Sequence, residues 1–182
     1  MVLRDRLWCM LTASARPWET HKINLSDGDI SDMRLFEYDK DSVTTSIGER
    51  VPGIDAALKG WSEKAPTLYR GLSKEEAKQL EAGAYVSSRD MSMSEELASA
   101  VKFAKQYRTN IVVAASGLTG FCYWQWLYDY TTKEIEEDDP TYYMRDWAKE
   151  EKEWLLPMGL KFAEKKHEKR AGVTLVEIAR KS

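Results

Sequence analysis

The run TNIVVAA, residues 109–115, sets the strongest constraint on how this chain can fold. It is rich in β-branched residues and carries no charge, so it reads as a buried strand. Further strand-like runs lie on both sides of it. TLYRG at 67–71 is short, rich in β formers and ends at a glycine. AYVSS at 84–88 reads as a strand leading into a polar turn. WLLP at 154–157, GLKFAEK at 159–165 and GVTLVEIAR at 172–180 read as later strands, with HEKR at 167–170 as a hairpin connection.

The helical signals come mostly earlier. IDAALKGW places Ile54, Ala57, Leu58 and Trp61 on one stripe, after a break at Val51-Pro52-Gly53. In SKEEAKQLEAG, Ser73 can cap a helix, Glu76 completes a capping box and Gly83 can end it. SEELASAVKFAKQY reads as the clearest helix, with Ser94 as cap and Leu97, Val101 and Ala104 on one face. Residues 1–34 carry weak signals, GFCYWQWLYDY at 120–130 reads as strand or irregular, and 131–150 as a long loop broken by Pro140. Helices first and strands later predict an α+β class rather than regular βαβ alternation. The expected organisation is a single domain over 1–182, with a mainly helical lead-in at 1–65 and a β-rich core at 66–182.

Bulk properties exclude several function classes. A chain of 182 residues can bury a core without disulfides or a metal. A net charge of -3 gives no global case for nucleic-acid binding. Cys9 and Cys122 form no CxxC, and His21 and His167 are the only histidines, so no metal site is expected. The apolar stretch in MVLRDRLWCMLTAS is too short and mixed for a signal peptide or membrane span, which makes cytoplasm the expected compartment. No membrane association is expected.

The stretch EKEWLLPMG, residues 151–159, poses the functional question. In an extended segment, residues two apart face the same side, so Glu151 and Glu153 would point together with Lys152 turned away. Trp154, Leu155, Leu156 and Pro157 would carry the chain into the core and anchor Glu153 on a rigid strand. From spacing alone, a solvated acidic patch competes with a pair of working carboxylates.

Three stretches taken in order, LYRG at 68–71, YVSS at 85–88 and EKEWLLP at 151–157, resemble the mono-ADP-ribosyltransferases of the Arg-Ser-Glu class. The third continues into LLPMGLKF and the chain closes with GVTLVEI, also as in that family. The resemblance covers roughly residues 35–180. It implies an ADP-ribosyltransferase-like split β-sandwich with an N-terminal helical region, and NAD as substrate. Within the family, the small size and lack of an export signal resemble the ModA and ModB type enzymes of large tailed phages. One departure stands out: the family's Ser-Thr-Ser reads Ser87-Ser88-Arg89 here, and Ser92-Met93-Ser94 offers a second register. The Ser87 register is preferred, because Tyr85 then takes the aromatic position.

The resemblance also implies roles. Glu153 would bind the 2'-hydroxyl of the nicotinamide ribose and stabilise the ribosyl cation. Ser87 would hydrogen-bond Glu153, and Arg70 would hold the pyrophosphate or a neighbouring ribose. Gly71 would bind the nicotinamide amide by its main chain, and Tyr85 would pack behind the cleft. Phe121, Tyr123 and Trp124 are equal candidates for stacking on nicotinamide. Glu151 would orient and deprotonate an acceptor arginine, which makes the expected activity transfer of ADP-ribose from NAD to a protein arginine. The same site could use water, as an NAD glycohydrolase, or take an NAD-capped RNA as donor. A fold retained for binding without turnover is the reading from another class.

An independent feature points to the partner. From Glu134 to Glu153 there are nine acidic residues and three basic ones. Such a rim attracts a basic protein surface bearing an exposed arginine, and Tyr142, Tyr143 and Trp147 could anchor it. A solvated loop with core aromatics is the alternative. The locally basic KFAEKKHEKR reads as a polar hairpin rather than an RNA site. A monomer is expected.

Overall fold

The computed structural model describes residues 57–60, 62–87, 91–134, 144–170 and 172–181. The expected helices before residue 57, the Ser88-Arg89 departure and the loop aromatics Tyr142 and Tyr143 lie outside these, as do the Trp147 side chain, Cys9 and His21.

After a helical stretch at 57–60, eight strands and four helices follow in chain order: β1 Glu63–Lys64, β2 Leu68–Gly71, α1 Lys74–Glu81, β3 Ser92–Ser94, α2 Leu97–Gln106, β4 Ile111–Ala115, β5 Thr119–Gly120, α3 Tyr123–Glu134, α4 Met144–Glu151, β6 Glu153–Leu155, β7 Phe162–Arg170 and β8 Val173–Arg180. Six strands form a mixed sheet in the order β6-β3-β2-β4-β8-β7, and β1 pairs with β5 in a small second sheet. Only β4 and β8 run parallel among the described pairs; the others are antiparallel. A bridge between Phe121 and Leu155 ties the small sheet to β6. This is the expected α+β architecture, a central mixed sheet with flanking helices.

The TNIVVAA run is the fourth strand, with Val112 and Val113 fully buried. Its alternate residues feed two apolar clusters. Val113 and Ala115 pack with Leu68, Met93, Trp154, Val176 and Ile178 on one face of the sheet. Val112 and Ala114 pack with Val173, Leu175 and the helix residues Ala100 and Ala104 on the other. A strand covered on both faces needs apolar residues at every position, which is why no polar residue interrupts it.

Helix α1 forms as its sequence predicts. Ser73 Oγ accepts from Glu76 N–H at 3.2 Å, and the Glu76 carboxylate returns the contact to Ser73 N–H at 2.9 Å. At the other end Gly83, with φ 67°, donates to Leu80 O, and Ala84 N–H donates to Gln79 O. These are the paired closing bonds of a helix that ends in a left-handed glycine.

Several expectations are corrected. AYVSS is not a regular strand: Val86 makes a single bridge to Lys161. The paired strand lies seven residues later, at Ser92–Ser94. Met91 and Met93 are buried there while Ser92 and Ser94 are half-buried, the period of two expected of a strand. Ser94 therefore does not cap α2, whose N-cap is Glu96. GFCYWQWLYDY contributes a helix, α3, since Tyr123, Trp126 and Leu127 are buried at helical spacing. Part of the expected 131–150 loop is α4. HEKR is not a connection but lies within the nine-residue β7.

Candidate active site at the sheet edge

Strands β6, β3 and β2 lie side by side at one edge of the six-stranded sheet and carry three of the singled-out residues, Glu153, Arg70 and Gly71. Glu153 opens β6 and is 6% exposed; with Ser87 it is one of two buried polar or charged residues in the described core. A carboxylate is rarely buried to this degree without a structural or chemical reason. Glu153 pairs with Ser94, and Ser94 with Tyr69. Residues paired across strands project to the same face. Glu153, Ser94 and Tyr69 therefore form one row across the edge, on the face where Tyr69 packs against the cluster covered by α2.

Arg70 lies one position along β2 and alternates to the opposite face. Its Nε donates to Glu76 Oε1 at 2.8 Å and its Nη1 donates to Ser92 O at 2.7 Å. The first bond is an ion pair between largely enclosed side chains, 23% and 15% exposed. Burial alone would lower the affinity of Arg70 for its proton. The Glu76 charge and hydrogen bond, with smaller contributions from Tyr85 and Tyr107, more than offset it and hold Arg70 above its ordinary value. Arg70 thus remains cationic, and it ties α1, β2 and the backbone of β3 into one unit.

Tyr85 completes this group from behind. It is 1% exposed and its ring lies 5.6 Å from that of Phe162. Burial first, and Glu76 second, push its hydroxyl well above the usual tyrosine range, with Arg70 partly opposing them.

Ser87 does something other than expected. Its Oγ donates to Pro157 O at 2.8 Å and accepts from Leu160 N–H at 2.7 Å. The hydroxyl gives its one proton to a carbonyl, so the expected Ser87-to-Glu153 donation is replaced by a staple across the turn after β6. The backbone of Ser87 reinforces it, accepting from Gly159 N–H and donating to Leu160 O. The residue opposite Glu153 belongs to the other register, Ser92-Met93-Ser94. The signal was present in the alternation MSMS, which a strand displays and a turn has no reason to keep.

Glu151 is also placed differently. It is the last residue of α4, not part of a strand. Lys152 follows with φ 45°, a left-handed conformation unusual for a residue with a side chain, and Glu153 then begins β6. The face-sharing expected of an extended Glu-x-Glu does not apply across this turn. Glu151 stays half-buried beside the site, and its carbonyl accepts from Ser94 Oγ at 2.6 Å.

Gly71 has a packing role that its sequence did not reveal. A Cβ there would meet Ala100 O at 2.2 Å and Ala104 N at 2.4 Å. The missing side chain admits the backbone of α2 against β2. Of the three candidates for stacking, Phe121 and Tyr123 are fully buried, and Trp124 is half-buried with its indole N–H bonded to Glu95.

Among the described residues no group of His, Cys, Asp and Glu is arranged to hold a metal ion, and no helix is long and apolar enough to cross a membrane. Cys122 is buried, and His167 is an exposed residue of β7 whose Nδ1 lies 2.7 Å from Glu164 Oε1.

No family model and no curated protein matches the sequence. Solved structures do match. Exoenzyme S from Pseudomonas aeruginosa, solved with human 14-3-3 protein beta and carba-NAD, superposes with a TM-score of 0.53 at 15% identity, over 85% of this chain and 74% of that one. Plx2a, an ADP-ribosyltransferase toxin from Paenibacillus larvae, gives a TM-score of 0.48 at 14% identity over 87% and 88%. The ADP-ribosyltransferase HopU1 of Pseudomonas syringae pv. Tomato DC3000 gives 0.45 at 19% identity over 71% of this chain, which spans half of HopU1. The fold is the mixed α/β, split β-sandwich architecture of ADP-ribosyltransferases.

Proposed function

We propose that this chain transfers ADP-ribose from NAD to an arginine side chain of a protein, releasing nicotinamide. One observation carries the reading: the buried carboxylate of Glu153 stands at the start of β6, directly opposite Ser94 in the pairing of β3 with β6. On a fold of this kind, such a carboxylate is suited to meet developing positive charge.

In the proposed reaction the bond between ribose C1' and the nicotinamide nitrogen breaks, and its electron pair leaves with nicotinamide. The ribose becomes an oxocarbenium-like cation. Glu153 stabilises that cation and accepts a hydrogen bond from the 2'-hydroxyl. A charge fixed on a strand needs no rearrangement as the transition state forms, which is where electrostatic catalysis gains most. A nitrogen of the acceptor guanidinium then bonds to C1' and loses a proton. Glu151, half-buried beside the site, orients the guanidinium and takes up the proton. Arginine stays protonated near neutrality, so a carboxylate at this step matters.

Arg70 is assigned to the NAD pyrophosphate side. Two of its five N–H groups already serve Glu76 and Ser92 O, which fixes the plane in which the rest can reach an anion. Tyr85 backs Arg70, and Gly71 keeps the backbone of β2 close beneath α2. Ser94 takes the place expected of Ser87 beside Glu153, while Ser87 holds the turn that follows. For the target, the acidic excess before Glu153 favours a basic surface; Asp146 and Glu150 within it are exposed.

The test is a lysate incubated with the chain and labelled NAD, followed by mass spectrometry of labelled peptides. ADP-ribose on arginine is the expected result. Label on serine, cysteine or asparagine would overturn the arginine assignment. Nicotinamide release without labelled protein would make the chain an NAD glycohydrolase, and label arriving only from NAD-capped RNA would change the donor. No turnover with any donor would leave a binding protein on this fold.

A further inference from the structure

The segment from Ser94 to Glu96 grips residues 151–154 by more than its strand register. Ser94 Oγ donates to Glu151 O at 2.6 Å, and Glu95 N–H donates to Lys152 O at 3.1 Å. Glu96 forms an ion pair with Lys152. The side chain of Glu95 does something less common: its Oε1 accepts from two indoles, Trp154 Nε1 at 2.7 Å and Trp124 Nε1 at 3.1 Å.

Trp154 directly follows Glu153 in β6 and is 4% exposed. A buried indole N–H needs an acceptor, and a carboxylate oxygen has the lone pairs to serve two donors at once. Side chains alternate along a strand, so Trp154 and Glu153 leave the same short strand on opposite faces. Fixing the indole therefore fixes the pleat that aims Glu153. Trp124 belongs to α3, which packs against α4, the helix that ends at Glu151. One carboxylate oxygen thus connects the helical pair leading to Glu151 with the strand that begins at Glu153.

We propose that Glu95 is a positioning residue for the reaction assigned above: by accepting the indole N–H groups of Trp154 and Trp124, it sets Glu153 relative to Glu151. The proposal rests on that assignment. Glu95 touches no reacting atom in this scheme; it acts through Trp154.

Glu95→Ala, Glu95→Gln and wild type are compared by initial rates of nicotinamide release, at a temperature where melts show all three folded. Glu95→Ala should lower kcat about tenfold or more, the effect of roughly an ångström of misplacement, while KM for NAD changes less than about twofold. Glu95→Gln keeps an amide oxygen for both indoles and should recover most of the loss. A purely stabilising residue would lower the melting temperature and leave kcat of the folded protein unchanged, and that result would overturn the proposal. Equal loss in both variants would also overturn it, by showing that the charge and not the indole contact matters. A second readout needs no activity. In protein with nitrogen-15 tryptophan, Glu95→Ala should shift two indole N–H resonances strongly, those lost selectively in Trp124→Phe and Trp154→Phe, and Glu95→Gln should shift them less. Unmoved resonances would refute the contact. A wild-type chain without NAD turnover would overturn the proposed function instead, and the indole resonances would then decide the clamp by themselves.

Discussion

Ser94 and Glu153 stand directly opposite one another in the antiparallel pairing of β3 with β6. Ser94 also donates to the carbonyl of Glu151 and accepts the N–H of Glu96, so a single serine touches both sides of the turn that separates the two glutamates. Ser87, seven residues earlier, is engaged with Pro157 and Leu160 instead.

The two serines should therefore fail differently. Ser94→Ala removes a bond at the Glu151–Glu153 turn and should cut the rate of nicotinamide release about tenfold, the effect of one net hydrogen bond of ~1–1.5 kcal/mol. Ser87→Ala leaves a buried N–H and a carbonyl without their partner and should destabilise the fold by ~1–3 kcal/mol. Urea melts and initial rates on the same preparations check both. A folded Ser87→Ala that loses more rate than Ser94→Ala would restore Ser87 as the residue beside Glu153.

Glu76 serves two structures at once, the cap of α1 and the pairing of Arg70. Ser73→Ala removes only the serine half of the cap and should cost ~1 kcal/mol. Glu76→Ala also strands a largely enclosed guanidinium and should cost ~3 kcal/mol or more. Equal melting shifts for the two variants would mean that Arg70 gains nothing from Glu76.

Tyr85 predicts an alkaline limit. Its hydroxyl is raised in the folded state by burial first and Glu76 second. Below the unfolded value of about 10, both states hold the proton and the stabilisation is complete. Above it the unfolded chain releases the proton while the folded chain retains it, so stability falls as pH rises. Relative to Tyr85→Phe, wild type should lose up to ~1.4 kcal/mol more per pH unit above pH 10. Parallel curves from denaturant titrations at pH 9 to 11 would show that the phenol does not report on folding.

The parts of this fold that were legible in the sequence are those where local and tertiary demands agree. The Ser73–Glu76 capping box, the TNIVVAA strand and GVTLVEIAR all formed because apolar pattern, caps and burial point the same way. The sheet edge was harder to see. Β3 has only three residues, and its MSMS alternation sits between a polar turn and a strong helix signal that draws Ser94 into the helix. Glu151 and Glu153 looked like neighbours on a strand because nothing in Glu-Lys-Glu announces a left-handed Lys152; a glycine would have. Gly71 invited a ligand reading, yet its neighbour is a helix thirty residues away in sequence, and no local pattern encodes that approach. Glu95 carried no signal at all, since an exposed-looking Glu-Glu pair hides an acceptor for two distant indoles.

The most direct test of the account is the rate of nicotinamide release from NAD by Glu153→Gln, measured beside wild type and Glu151→Gln with melts to show that each is folded. Glutamine keeps the shape of the buried side chain and removes the charge proposed to meet the ribosyl cation. In the proposed scheme, transfer to protein, to water and from a capped RNA would all pass through that cation. Glu153→Gln should lose about a hundredfold or more for every acceptor, the usual cost of removing one such preorganised interaction. Glu151→Gln should lose transfer to arginine and keep measurable hydrolysis. A folded Glu153→Gln that releases nicotinamide at close to the wild-type rate would contradict the account.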